Sequence, residues 1–266
     1  MLRGLMVDEL VQVAENRLWA GLYYLLELRA PAIAAEAQPG QFVHIRVPDC
    51  ADALLRRPFS IYRVQGETVS VLYKVVGKGT AALARVRAGE RLEVLGPLGH
   101  GFSLPRAGEE EPLLVAGGYG VAALYLLAER SPCRGILFEG GRTRGDVLCE
   151  EEFRALGWEV RVTTEDGSHG WRGLVTEPLR EELARRARGR KLYACGPTGM
   201  LRAVARLAEE FGVAAEVSLD EPMCCGVGVC LTCVVPVRTA EGWEYQRACT
   251  EGPVFDARQV LWEVPA

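Results

Sequence analysis

Four cysteines constrain this chain more than any other feature. Cys225, Cys230 and Cys233 share the run MCCGVGVCLTC, and Cys249 follows it. Their spacing, C-x4-C-x2-C-x15-C, is that of four thiolates closing a plant-type [2Fe–2S] cluster. Gly226 and Gly228 permit positive φ, so backbone N–H groups can turn inward towards cluster sulfur. Structural zinc is the competing reading, but zinc sites usually pair two short knuckles, whereas here three cysteines crowd one loop and the fourth is remote. Inert thiols are a third reading. Cys224 offers an alternative C-x5-C spacing and reads more simply as a small packed neighbour. Cys50, Cys133 and Cys149 have no partner pattern and read as plain core or surface residues.

The rest of the composition is that of an ordinary globular chain. Of 266 residues, 49% are hydrophobic and 25% charged, which excludes disordered and collagen-like chains. With 31 Lys+Arg against 35 Asp+Glu the net charge is −4, so there is no whole-chain footprint for nucleic acid. The uncharged stretch Leu113–Ala128 has 16 residues and falls short of the ~18 expected of a membrane span. The opening MLRGLMVDELVQVAEN turns acidic at once and shows no signal-peptide cleavage pattern. A soluble, cytoplasmic protein is expected. In that reducing compartment, nine cysteines point to metal or redox chemistry rather than disulfides.

Three regions follow one another. Residues 1–104 hold short β-branched and aromatic runs (Phe42–Val47, Phe59–Val64, Val69–Val76) between turn signals, the pattern of an antiparallel β-barrel or sandwich. One short helix is expected at Thr80–Val86. Residues 105–218 alternate strands with helices: Leu113–Ala116, Gly135–Glu139, Glu159–Thr163, Lys191–Cys195 and Ala214–Ser218, with helices between and the longest from about Thr198 to Phe211. This is an α/β domain on a parallel sheet. The polar stretch Ser103–Glu111 reads as the linker. Residues 219–266 form a small C-terminal lobe with the cysteines and two strand-like runs, Leu231–Val237 and Trp243–Arg247.

Each candidate nucleotide element is weak alone. Arg56 and Arg57 stand at the start of a strand, where a guanidinium can neutralise a pyrophosphate, and the Ser60 hydroxyl follows within reach of a ring edge. Gly79-Thr80 opens a helix whose N–H groups could face phosphate. The segment LLVAGGYGV reads as strand, glycine turn and helix, with Gly117, Gly118 and Gly120 letting backbone approach a dinucleotide or simply packing helix on sheet. Glu139 falls 21 residues after Gly118, where an acid can hold ribose hydroxyls and favour NAD; a surface carboxylate at a strand end is an equal reading. Cys195-Gly196-Pro197 ends a strand and starts a helix well. His44, His100 and His169 are scattered and form no triad with a serine, so no catalytic side chain is assigned; His100 reads as a turn residue.

Taken in order, RPFS, LYKVVGKGT, GPLGHGF, the glycine turn, CGPTGM and the late cysteine loop resemble the ferredoxin-reductase-like flavoproteins. The ending EPMCCGVGVCLTCVV with RACTEGPVFDARQVLW resembles the electron-transfer subunits of class B dihydroorotate dehydrogenases, over nearly the whole chain. The resemblance implies an FAD-binding barrel, an NAD-binding α/β domain and a cluster-binding lobe. It assigns Arg57, Pro58, Phe59, Ser60, Leu72, Tyr73, Lys74, Gly79 and Thr80 to FAD, and Cys225, Cys230, Cys233 and Cys249 to the cluster. It places Cys195, Gly196 and Pro197 beside the nicotinamide of NAD(H). The family usually has GGGIG followed by a proline-containing run, so Ala116, Tyr119 and the alanines after Val121 are departures. The implied partner is an FMN-containing dihydroorotate dehydrogenase catalytic subunit, in a heterotetramer of two plus two, acting in pyrimidine synthesis.

A flavin exchanges electrons in pairs or singly, so a nicotinamide site, a flavin and a cluster on one chain make a two-to-one electron relay. Two other readings stand beside it: a related reductase serving a hydrogenase, sulfur reductase or oxygenase, and a zinc-stabilised interaction module with a vestigial nucleotide fold.

Overall fold

The computed structural model describes residues 6–48 and 54–263; Cys50 lies outside them. The chain begins with a long strand, β1 (Val7–Ala20), followed by β2 (Tyr23–Arg29), helix α1 (Pro31–Glu36), β3 (Phe42–Ile45), β4 (Arg57–Ser60), β5 (Arg63–Gln65), β6 (Thr68–Lys74), helix α2 (Lys78–Leu83) and β7 (Arg91–Leu98). The strands form one antiparallel sheet in the order β4-β3-β7-β1-β2-β6-β5. Its two ends are consecutive strands. The Ile61 N–H donates to the Gln41 carbonyl (3.0 Å) and the Tyr62 N–H to that of Ser70 (2.8 Å), so one chain segment joins both ends and the sheet curls into a barrel. Inside lie Val11, Val13, Leu26, Leu28, Val43, Ile45, Val69, Val71 and Val94.

The second sheet is built from β8 (Glu111–Gly117), α3 (Val121–Arg130), β9 (Ile136–Gly141), α4 (Glu150–Ala155), β10 (Glu159–Thr164), β11 (Trp171–Arg172), α5 (Thr176–Arg185), β12 (Arg190–Cys195), α6 (Thr198–Phe211) and β13 (Ala214–Ser218). All pairings among these strands are parallel. The order β11-β10-β9-β8-β12-β13 runs outward in one direction from β8 and in the other from β12. The crevice between those two strands is therefore the switch point at which open α/β sheets receive ligands.

The uncharged Leu113–Ala128 stretch lies within this architecture. Leu113 to Ala116 and Val121 to Ala128 are all buried, because α3 is sandwiched between its own sheet and the barrel. Leu126 packs into the barrel core, while Tyr125 stacks on Tyr62 at 4.5 Å. Each such leucine contributes about 2 kcal/mol of burial to the joint between the two units. No described helix is long and apolar enough to cross a membrane.

The last segment forms the hairpin β14 (Val234–Thr239) and β15 (Gly242–Arg247), then β16 (Val254–Asp256). β16 pairs antiparallel with β13, Ser218 opposite Val254 and Glu216 opposite Asp256, and so adds a seventh strand to the second sheet. A single core contains Phe42 and Leu98 of the barrel, Leu113 and Val115 of β8, and Cys233, Val235, Cys249 and Phe255 of the lobe.

Several expectations shift in detail. The helix expected at Thr80–Val86 starts earlier and ends at Leu83, and Thr80 lies inside its first turn, its hydroxyl accepting from the Val76 (2.9 Å) and Gly77 (3.2 Å) N–H groups. The helix expected between β9 and β10 spans only Glu150–Ala155. Glu111 already opens β8, and Ser103 is pinned by its N–H and hydroxyl to Glu216 (3.0 and 2.5 Å). The strand expected from Leu231 begins at Val234, because Leu231 has φ +58.

Glu139 fits neither expectation. Its carboxyl is buried in β9 and accepts from the Leu148 N–H at 2.7 Å, with Oε2 unpartnered. Burial pushes its pKa up to about 7, only partly opposed by that N–H. A proton held more tightly in the folded state means that stability falls as pH rises from about 4.5 to 7 and is flat above. Glu139→Gln is expected to remove this slope, ending up to about 3 kcal/mol more stable than wild type at pH 8 and converging with it near pH 4. Chemical unfolding at the two pH values measures the difference; equal gaps would show that the carboxyl does not titrate there.

Candidate functional site

Two cavities meet at the crevice. The larger, about 740 Å³, is lined by Gly117, Gly118, Gly120, Cys195, Gly196 and Pro197, together with Gly140, Gly141, Arg142, Glu165, Thr176 and Asp220. All six residues expected at the nicotinamide thus share one cavity. The two turns require their glycines. A Cβ at Gly120 would stand 2.2 Å from the Cys195 carbonyl oxygen, and one at Gly117 2.6 Å from Pro197 Cδ. Gly118 has φ +53, the left-handed conformation that admits glycine cheaply. The two βα turns therefore lie back to back, and the N-terminus of the ten-residue helix α3 opens into the cavity. The Cys195 thiol is buried and pushed up to about 12 by burial and then by the Asp220 charge, so it is no nucleophile.

The smaller cavity, about 240 Å³, is lined by Arg57, Pro58, Phe59, Ser60, Leu72, Tyr73, Lys74 and Thr80. Gly79, expected with them, is buried in α2 and is not on its wall. Arg56 points elsewhere, to Asp8 (2.9 Å) and Glu93 (3.4 Å), while Arg57 donates to the Leu55 carbonyl at 2.7 Å. Lys74 joins the two units. Its ammonium reaches Asp146 Oδ1 at 3.3 Å and lies 4.9 Å from the centre of the Tyr23 ring, and the Tyr23 hydroxyl donates to the same oxygen at 3.2 Å.

Tyr119, Gly120, Cys195 and Asp220 line both cavities. The half-exposed Tyr119 donates its hydroxyl to Asp220 Oδ2 at 3.2 Å, and burial with that carboxylate pushes the phenol up to about 12, so it stays a donor. Ser218, Leu219, Asp220 and Met223 carry the smaller cavity's wall towards the cysteine loop. Arg142, Glu165 and Asp220 were not singled out from sequence, although the first two follow the carboxyl ends of β9 and β10, where the switch-point rule directs attention.

In the cysteine loop Gly226 and Gly228 have φ +72 and +81. The Val227, Val229 and Cys230 N–H groups all turn onto Cys225 Sγ at 3.4–3.5 Å. The Thr232 hydroxyl donates to Cys230 Sγ at 3.2 Å and, ahead of backbone donors, holds that thiol down to about 6. Cys233 and Cys249 are buried at 2% and 1% exposure, and burial, then Cys233, pushes Cys249 up to about 12. Arg247 ties the loop to the hairpin, donating to the Gly228 carbonyl at 3.2 Å while paired with Glu251. Cys133 is half-buried and Cys149 fully buried, both free.

Among the described residues, no three His, Cys, Asp or Glu side chains gather as a single metal ion would require. Cys225 lies against Cys230 and Cys233 against Cys249, and Cys225 in turn faces Cys249. Two thiolates per iron is the partition a two-iron cluster takes. The inward N–H groups and the glycine-lined loop fit the same group. Thr232→Val is expected to move the midpoint potential of the cluster to more negative values, because a hydrogen bond to ligand sulfur favours the more negative reduced form. Thr232→Ser should restore it. Redox titration followed by EPR reads the shift, and an unchanged potential would remove Thr232 from any tuning role.

Barrel, switch-point sheet and cysteine lobe together define an iron–sulfur oxidoreductase of the ferredoxin-reductase type. Residues 220–261 match the iron–sulfur cluster binding domain of dihydroorotate dehydrogenase B, and residues 114–206 the oxidoreductase NAD-binding domain. The chain belongs to the family of dihydroorotate dehydrogenase B (NAD(+)) electron transfer subunits. It is 44% identical to the Geobacillus kaustophilus member over 261 residues, covering 95% of this chain and 98% of the relative. It is 40% identical to the Desulforamulus reducens member over 245 residues, covering 90% and 93%. Among solved structures, that of an NADH-dependent reduced ferredoxin-NADP oxidoreductase superposes with TM-score 0.82 at 30% identity, covering 96% of this chain and 90% of the other. An Amycolatopsis cytochrome P450 reductase (TM-score 0.67, 22% identity, covering 79% and 68%) shares the fold.

Proposed function

We propose that this chain carries electrons between NAD(H) and an FMN-containing dihydroorotate dehydrogenase catalytic subunit, in a two-plus-two heterotetramer of the cytoplasm serving pyrimidine synthesis. The observation that carries this reading is the contiguity of the three sites. The same Tyr119–Asp220 wall bounds both cavities, and residues 218–223 lead from it into the cysteine loop. FAD supplies the chemistry, exchanging an electron pair with nicotinamide and single electrons with the [2Fe–2S] cluster. Arg57 supplies positive charge for the pyrophosphate, and Pro58, Phe59, Leu72 and Tyr73 offer apolar surface to the ring system. Ser60 and Lys74 offer polar contacts at its edge, and Thr80 caps the helix beside it. Gly117, Gly118 and Gly120 let backbone approach NAD(H), with Cys195, Gly196 and Pro197 closing the nicotinamide end. Cys225, Cys230, Cys233 and Cys249 hold the cluster.

Val229 and Leu231 stand exposed on the cysteine loop, and Trp243 and Tyr245 are exposed on the adjoining hairpin, their rings edge to face at 5.2 Å. An apolar rim around an electron exit is the surface on which the partner subunit docks. Co-expression with the FMN subunit should give a complex in which dihydroorotate reduces NAD+ only when both chains are present. Dye reduction by NADH from the isolated chain, with no coupling to the partner, would instead favour a related reductase with another acceptor.

A further inference from the structure

Strand β3 faces two ways. Val43 and Ile45 point into the barrel core, whereas Phe42 and His44 point out of it, towards the lobe. Phe42 shares a core with Cys233 and Cys249. His44 is 0% exposed, edge to face with Phe42 at 6.0 Å, and packs on the cysteine loop itself: a Cβ at Gly226 would stand 2.7 Å from its Nδ1 and 2.9 Å from its Cε1. Neither ring nitrogen has a hydrogen-bond partner among the described residues. A buried imidazole always carries at least one N–H, and leaving such a donor unmet costs ~1–3 kcal/mol. The donor therefore calls for an acceptor that the described residues do not supply, beside Gly226, the residue following Cys225. His44 is not among the residues lining the cavity assigned to FAD, and its ring packs on the cysteine loop instead.

We propose that His44 donates a ring N–H to a sulfur of the [2Fe–2S] cluster, making the barrel, and not only the cysteine lobe, a determinant of the cluster's potential. This rests on the assignment of the cluster to Cys225, Cys230, Cys233 and Cys249. Burial first, then the charges of Arg56 and Arg57, lower the His44 pKa to about 4, so the ring is neutral and acts as a dipole rather than as a cation. His44 sits opposite Pro58 in β4, the strand that lines the FAD cavity, so one strand pair contacts both redox sites. His44 is a positioning and tuning residue; it takes no proton in the reaction.

The chain has three histidines, which makes isotope labelling selective. The complex is prepared with 15N-histidine, reduced, and examined by HYSCORE spectroscopy at the cluster signal. A 15N coupling is expected in the wild type and its loss in His44→Phe, with the midpoint potential of that variant shifted negative. His44→Gln, which keeps an N–H donor, is expected to recover most of the potential. A cluster signal without histidine coupling in the labelled wild type overturns the proposal and leaves the functional reading standing, and so does an unshifted potential in a well-folded His44→Phe. A complex with flavin but no iron–sulfur signal overturns both.

Discussion

Cys225→Ala abolishes the reduced-state EPR signal of the cluster and lowers NAD+-dependent dihydroorotate oxidation by the complex at least ~100-fold, a barrier increase of about 3 kcal/mol or more. That is the expected result, because Cys225 is the sulfur onto which three backbone N–H groups are turned. NADH reduction of a one-electron dye depends on the two cavities alone and should persist in the same preparation. Cys224→Ala is the informative comparison. Cys224 is half-buried and lies against Cys230, at the longer C-x5-C spacing that is not the ferredoxin one. The variant should keep the full signal. Retention of signal in Cys225→Ala with loss in Cys224→Ala would reassign the ligand to the longer spacing.

The second large effect is expected at Gly120. An alanine there drives Cβ into the Cys195 carbonyl oxygen and carbon, at 2.2 and 2.6 Å, and both sides of the contact are backbone. The two turns at the switch point must separate, at a cost of about 3 kcal/mol, with NADH binding weakened at least ~10-fold because both turns line that cavity. Gly118→Ala meets nothing within 4 Å and bears only the cost of its positive φ (+53), about 1 kcal/mol. Denaturant unfolding and NADH titration of the two variants should therefore rank them clearly. Equal losses would mean that the turn owes its form to conformational freedom and not to close approach.

Periodic segments with strong end signals were legible from the residues. Thr198–Phe211 and Ala214–Ser218 are observed as expected, since Pro197 starts the helix and Gly212, at φ +65, stops it. The glycines of the cysteine loop turn N–H groups inward as their conformational freedom suggests. Elements defined by distant partners were not legible. β1 alternates inward and outward only over Val7–Ala14, with the charged Glu9 in an inward place, and bulges break the period beyond; it nevertheless pairs along both edges. β16 is three residues long and exists because β13 offers an open edge. Glu139 falls at the right count for a ribose ligand, but a count does not tell which side of a strand faces the cavity; β9 turns it inward and leaves Arg142 at the mouth. His44 was set aside because it pairs with no serine. Its surroundings come from Gly226, 182 positions away along the chain.

The pairing of β16 with β13 bears on how this redox module can be borrowed. Ferredoxins are often treated as cassettes, cut at a linker and grafted behind a new donor. Here the graft would fail at the seam: a fragment starting after Ser218 takes β16 away from β13, the strand it pairs with, and the remainder keeps a bare, buried-type strand margin open to other chains. The portable piece is the α/β unit and its iron–sulfur appendage moved as one, with the barrel's β3 supplied alongside.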